Sequence, residues 1–326
     1  MDSPIIEVRG LKKHYPLRSS LFSRNIDVVK AVDGVDFDVF PKETLALVGE
    51  SGCGKTTVAK TILGLVTPSE GSIQFLGKDF SKLTKEGQKY VQKNMQIVFQ
   101  NPYASLNPRQ TIGKILSVPF KVHKFGTNTE IKQRVIEILE HVGLSPAEQY
   151  LTKHPHELSG GQRQRVGVAR AIALNPKLII CDEPVSALDM SVRGQILNLL
   201  NDIQSKFGVA YIFITHDLAV VRTIASRVLV MYLGKIVEAG SVEDVIENPL
   251  HKYTQMLIAA TPRPDPKLAK EITRSAITGD VPSPVNPPSG CRFRTRCSMV
   301  MKICSEIEPL LTENQNDHKV ACHLCN

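Results

Sequence analysis

Long hydrophobic runs are missing from this sequence of 326 residues: no stretch approaches the ~18 apolar residues that a helix needs to span a bilayer. The opening "MDSPIIEVRGLKKHYP" carries acidic residues and lacks an apolar signal core, so export is not expected and the cytoplasm is the expected compartment. There is no block of five or more like charges and no zinc-finger or RNA-binding motif. A net charge of +8 therefore reads as a mildly basic protein that binds anionic phosphates, with no nucleic acid as partner. No internal repeat is visible, which limits the chain to one copy of any module it carries. What remains, 42% apolar and 22% charged residues, is ordinary for a globular protein long enough for one large domain plus an appendage.

Periodicity then separates the elements. "IIEVRG" and "KAVDGVDFDVF" alternate apolar and polar residues, as strands of an antiparallel sheet do. "TLALVG" is continuously apolar, the pattern of a strand buried on both faces. "GSIQFLG" reads as a further edge strand. Residues 127–144 place Ile131, Val135, Ile138, Leu139 and Val142 on one helical face, with a threonine or asparagine able to cap the start and Gly143 suited to the end. "KLIICDEP" and "VAYIFITHD" are buried strands separated by a helix that carries Ile196, Leu199, Leu200, Ile203 and Phe207. Strands and helices alternating in this way predict an α/β layer around a mostly parallel sheet.

Three stretches carry chemistry. "GESGCGKT", Gly49 to Thr56, has the spacing G-x-x-x-x-G-K-[ST] at a strand-to-helix junction. Gly49, Ser51, Gly52, Cys53 and Gly54 can curl their backbone around phosphate oxygens with little side-chain obstruction. Lys55 can reach the β- and γ-phosphates, Thr56 can ligate Mg²⁺, and Thr57 can bond the α-phosphate. "LIICDEP" delivers Asp182 as a second Mg²⁺ group and Glu183 to polarise the attacking water. Together these two motifs specify a nucleoside triphosphatase.

"LSGGQ", residues 158–162, decides which kind. With it the chain resembles the ATP-binding subunit of an ABC transporter over roughly residues 5–250. Gln100 in "IVFQNP" matches the Q-loop, "SALD" ending at Asp189 the D-loop, His216 in "ITHD" the switch histidine, and Tyr15 the aromatic beneath adenine. The resemblance implies catalytic roles for Glu183, His216 and Gln100. It also implies an ABC ATPase core with an antiparallel β subdomain and a helical subdomain at about 101–174. Ser159, Gly160, Gly161, Gln162 and Asp189 would face the ATP of a second ATP-binding subunit, Ser159 and the N–H groups of both glycines cradling its γ-phosphate. Two ATPs then glue two subunits until hydrolysis releases them. One departure is local: the family usually has glycine before the glutamate of the turn leading into the phosphate-loop strand, whereas this chain reads "PKET", with Lys42 expected to be exposed.

The insertion "PLRSSLFSRNIDVVKAVDGV", the segment "QNPYASLNPR" and the tail resemble the oligopeptide/dipeptide importer branch. That branch implies integral membrane permease subunits as partners on the cytoplasmic face, and an extracytoplasmic peptide-binding protein indirectly. The second ATPase is a related subunit or another copy, the branch favouring a heterodimer. Dipeptides, longer peptides and nickel chelates are all substrates of the branch, and the sequence does not choose among them.

Five of the seven cysteines fall within residues 291–325, beyond a connector of residues 261–290 that holds seven prolines. In a reducing compartment such a cluster reads as metal-binding. The spacing C-x₅-C-x₆-C-x₁₇-C runs through Cys291, Cys297, Cys304 and Cys322. In the branch it resembles, such a tail can hold a [4Fe–4S] cluster. Four thiolates also suit Zn²⁺, and Cys322 with Cys325 forms the short C-x₂-C that zinc favours. If "CRFRTRC" is extended, Arg292, Arg294 and Arg296 share one face, either solvated or tuning the thiolates. The expected division is an ATPase domain at 1–260 and a connector with metal-binding extension at 261–326. Loss of the cluster is expected to leave ATP binding by the core intact.

Overall fold

The computed structural model describes residues 3–17, 27–260, 280–315 and 317–325. Residues 18–26 of the insertion and 261–279 of the proline-rich connector lie outside them. The chain divides into two compact units, one made of Ile6–Val39, Thr44–Ser81 and Ile214–Asn326, the other of Met1–Ile5, Phe40–Glu43 and Lys82–Phe213.

In the first unit the alternating segments form an antiparallel sheet. Strand Ile6–Pro16 pairs with Val28–Val39 on one side and Glu70–Phe75 on the other, and Lys78–Asp79 lies beyond. Ile6, Val8, Leu11, Val32 and Val35 are its buried face. The continuously apolar strand Thr44–Val48 is buried at every position and runs parallel to Arg227–Tyr232. Arg227–Tyr232 turns back antiparallel into Lys235–Ser241. Onto that strand the tail adds His318–Val320 and then Thr312–Gln315, both antiparallel.

One buried carboxylate ties this edge together. Glu238 accepts from the backbone N–H of Leu250 and His251 at 2.7 and 3.0 Å and bonds His318 Nε2 at 2.8 Å. Three partners offset the cost of burying its charge. Ala46, Val48, Val228, Val230, Tyr232, Tyr253 and the tail's Phe293 share one core, with Cys291 and Cys297 packed against it.

In the second unit strand Met95–Val98 runs parallel to Leu178–Asp182, and residues 210–213 of strand Ala210–Thr215 lie beside the latter. Between the first two, residues 101–174 form helices and no strand, the longest being Ile112–Val122, Asn128–His141 and Gly160–Ile172. The helix at 128 is capped as its sequence suggests: Thr127 and Glu130 form a reciprocal capping box, and Ile131, Val135 and Leu139 are buried. The fold is the expected ABC-type α/β architecture, with parallel strand pairs, an antiparallel sheet and a helical stretch. Among the described residues no helix is long and apolar enough to cross a membrane.

The "CRFRTRC" segment is not extended. Residues 291–296 are a run of turns rather than an extended strand. Arg292 and Arg296 are buried, and only Arg294 of the three is partly exposed. Lys42 is exposed as expected and takes the left-handed backbone conformation, φ 61°, that suits the glycine usual there.

Candidate nucleotide site and thiol cavity

Strand Thr44–Val48 ends at Gly49, where the chain must bend tightly. A Cβ on Gly49 would lie 2.2 Å from the Met231 carbonyl oxygen, and one on Gly54 2.1 Å from that of Ala31. With φ of 153° and 113° these two positions admit only glycine. Helix Lys55–Ile62 follows with no side-chain cap at its amino end, leaving its first N–H groups directed along the helix axis toward the loop.

Lys55 is buried and folds over its own loop, donating from Nζ to the carbonyls of Gly49 at 2.6 Å and Glu50 at 2.9 Å. Cys53 is buried too, and desolvation raises its thiol pKa even with Lys55 nearby. Ser51, Gly52 and Thr56 are exposed and Thr57 half-buried.

In the same unit, Tyr15 is half-buried near the end of its strand, with Lys13 Nζ 5.0 Å from its ring centre. Its neighbour His14 bonds Asp33 Oδ1 through Nε2 at 2.8 Å. Burial alone would raise the Asp33 carboxyl, but hydrogen bonds from Arg292 and His14 bring it below its usual range. His216 is exposed just past strand Ala210–Thr215, where Asp217 caps the next helix by accepting from Ala219 N.

The carboxylates belong to the other unit. Parallel register pairs Val98 with Cys181. Two residues further along each strand the chain brings Gln100 beside Glu183, and Gln100 Nε2 donates to Glu183 Oε2 at 2.8 Å. Glu183 sits at φ 47°, a left-handed conformation that a non-glycine residue holds only under constraint. Ser186 N and Oγ both donate to its carbonyl, at 3.3 and 3.1 Å. Asp182, half-buried, ends the buried strand beside it.

"LSGGQ" starts helix Gly160–Ile172. Ser159 Oγ accepts from Gln162 N at 3.2 Å while Gln162 Oε1 accepts from Ser159 N at 3.0 Å. This capping box uses Ser159 and Gln162 to present the amino end of the helix, and Ser159 is exposed there. The S-x-x-Q spacing carried that signal in the sequence. A Cβ on Gly161 would lie 2.6 Å from Val192 Cγ1, so the helix that Asp189 begins packs directly against this glycine. The structure thus brings together Gln100 with Glu183, and Gly161 with the helix that follows Asp189.

In the tail, Cys291, Cys297, Cys304 and Cys322 line one cavity with His251, Phe293 and His323. Burial pushes the Cys291 thiol up to about 11 and also raises Cys297 and Cys322. Cys325 does not line that cavity; its thiol lies 3.9 Å from the Leu250 carbonyl. Among the described residues no group of three or more His, Cys, Asp or Glu is set to hold a single metal ion.

Sequence reading missed the partners of the tail's arginines. Arg296 donates to both Glu50 carboxylate oxygens at 2.7 and 2.9 Å. Arg292 donates to the Leu233 carbonyl and to Asp33. No local signal could have found these pairs, because the partners lie more than 50 positions away in the chain.

Comparison with known proteins agrees with this geometry. The ABC transporter family model matches residues 32–186, and the model of the oligopeptide/dipeptide transporter C-terminal region matches residues 237–304. The chain is 50% identical to the oligopeptide transport ATP-binding protein AppF of Bacillus subtilis, covering 98% of this chain and 97% of that one. It is 47% identical to OppF of Escherichia coli over 98% and 95%. With the dipeptide transport protein DppF of Haemophilus influenzae the figure is 44%, over 98% and 97%. Among solved structures, cbiO1 of Clostridium perfringens superposes with a TM-score of 0.64 at 28% identity, covering 76% of this chain and 92% of that one. The dimeric ABC transporter cassette MJ0796 gives 0.62 at 26%, over 73% and 98%. The chain belongs to the ABC transporter ATP-binding proteins, in their oligopeptide/dipeptide transport branch. It is an ATPase.

Proposed function

We propose that this chain energises peptide import through a membrane ABC transporter by ATP-driven closure and opening of a pair of ATP-binding subunits. The observation that carries the chemistry is the hydrogen bond from Gln100 to a Glu183 held in the left-handed conformation. A carboxylate fixed in a constrained backbone and read by a neighbouring amide is built to sense and activate water. The phosphate loop, Gly49 to Thr57, binds the triphosphate, and Lys55 neutralises its charge. Thr56 and Asp182 supply oxygens for Mg²⁺, and Tyr15 stacks on adenine. Glu183 polarises the water, and His216 steadies the γ-phosphate as it departs. Ser159, Gly160, Gly161, Gln162 and Asp189 serve the partner subunit's ATP. Permease subunits on the cytoplasmic side of the membrane read nucleotide state through Gln100, and a related ATPase completes the pair. A tagged chain should therefore co-purify with integral membrane proteins from detergent extracts. Retention of ribosomes or DNA in their place would reject the importer assignment.

The tail at 261–326 extends the ATPase domain at 1–260 with a metal site. Cys291, Cys297, Cys304 and Cys322 hold a [4Fe–4S] cluster, with Cys325 outside the ligand set. What supports this reading is four thiols lining one cavity. A single zinc needs its sulfurs ~2.3 Å from one point, whereas a cube of iron and sulfide spreads its ligands more widely. Metal binding supplies much of the folding free energy of so small a segment. Protein purified without oxygen is expected to be brown, carry about four irons per chain, and lose them in Cys297→Ser. One zinc and no iron would put Zn²⁺ there, and iron loss in Cys325→Ser alone would show a different ligand set.

A further inference from the structure

We infer that the turn between Cys291 and Cys297 braces the nucleotide site, Arg296 positioning the phosphate loop through Glu50. The inference rests on reading residues 49–56 as the ATP-binding loop.

Glu50 is the first residue after Gly49, and its backbone is already held on both sides. Its N–H donates to Tyr253 Oη at 2.8 Å, and its carbonyl accepts from Lys55 Nζ at 2.9 Å and from Cys53 N at 3.3 Å. The side chain is held too: the Arg296 guanidinium meets it with two parallel bonds, and Tyr232 Oη lies 3.4 Å from the same guanidinium. The Arg296 side chain is 1% exposed and that of Glu50 20%. A buried guanidinium without its carboxylate would be costly, so turn and loop hold each other in register. Lys55, which must meet the phosphates, is bonded to the very carbonyl that this grip fixes.

Arg292 adds a second brace from the same turn. It donates to the Leu233 carbonyl, and Gly234 N–H beside it donates to the Cys53 carbonyl of the phosphate loop at 2.8 Å. It also holds Asp33, which pairs with His14, the neighbour of Tyr15. The two arginines thus reach the phosphate end and the adenine end of the site. Both are presented by a stretch that begins and ends at cavity thiols. Phe293 between them packs on Tyr232 and Tyr253, ring centres 5.3 and 5.5 Å apart. Arg294, in the same run, bonds Ser289 and, among the described residues, neither Glu50 nor Asp33. A group held by Cys291 and Cys297 would fix both ends of this turn, so occupancy of the cavity and nucleotide affinity are expected to be linked, and linkage runs in both directions.

The test is the affinity of the full-length chain, purified without oxygen, for Mg²⁺–ADP by titration calorimetry. Arg296→Ala and Glu50→Gln are each expected to weaken ADP about tenfold, within the ordinary range of coupling between sites. Their double variant should be no weaker than either alone, since they remove one contact. Arg296→Lys should fall between, because an ammonium cannot make the paired bond. Cys297→Ser should weaken ADP as Arg296→Ala does, and Arg294→Ala should match wild type. ADP should also protect bound iron from a chelator in wild type but not in Arg296→Ala. Unchanged ADP affinity in a folded Arg296→Ala, even with a lowered melting temperature, would overturn the brace. If that variant does not fold, unchanged affinity in Glu50→Gln overturns it equally. A wild-type chain that bound no ADP would instead remove the ATP-site reading beneath it.

Discussion

Glu183→Gln is expected to bind ATP as wild type does and to lose turnover by about 10²- to 10⁴-fold, the usual contribution of a positioned general base. The amide keeps the size of the carboxylate, so the left-handed turn at 183 and the bond from Gln100 can persist through the side-chain oxygen. What disappears is the charge that draws a proton from water. The phosphate loop and Asp182 are untouched, so the variant should accumulate as an ATP-loaded dimer. Single-turnover hydrolysis by the purified variant, beside gel filtration with ATP, reads both effects. Wild-type turnover would show that another group activates the water.

The second large effect is expected at the exposed start of helix Gly160–Ile172. Ser159→Arg removes the hydroxyl that caps Gln162 N and puts a long cation where a partner's γ-phosphate is to be cradled. Hydrolysis should fall by about a hundredfold or more, comparable with loss of a preorganised anion contact. Nucleotide affinity of the isolated chain should hardly change. The two consequences of the substitution separate in Ser159→Thr, which keeps the cap and adds only a methyl group, and should retain most dimerisation. A large loss of ADP affinity in monomeric Ser159→Arg would contradict a shared site.

Much of the candidate nucleotide site's local geometry was legible in the sequence because its pattern is local. A glycine at 49 or 54 can be read from spacing alone, and the structure shows the carbonyls of Met231 and Ala31 that forbid any other residue. The strand ending at Asp182 announced itself by continuous apolar residues. The conformation of Glu183 was not legible, since nothing in "CDEP" distinguishes an ordinary turn from φ 47°. The tail misled for a different reason. Alternation in "CRFRTRC" puts its arginines on one face if the segment is extended, solvated or tuning the thiolates, but period-two patterning says nothing of distant partners. Arg292 and Arg296 instead find Asp33 and Glu50, and buried pairing overrides the pattern. The brace inferred above and the expectation that loss of the cluster leaves ATP binding intact make opposite predictions, and ADP affinity in Cys297→Ser decides between them.

The central claim is that ATP hydrolysis by this chain drives peptide import. The most direct measurement is uptake of a labelled dipeptide and a labelled longer peptide by cells whose own copy is replaced, in turn, by wild type and by Glu183→Gln. The account predicts ATP-dependent uptake of at least one peptide with wild type and none above background with Glu183→Gln, at equal protein levels in the membrane fraction. Equal peptide uptake with the two, or uptake of chelated nickel alone, would contradict it.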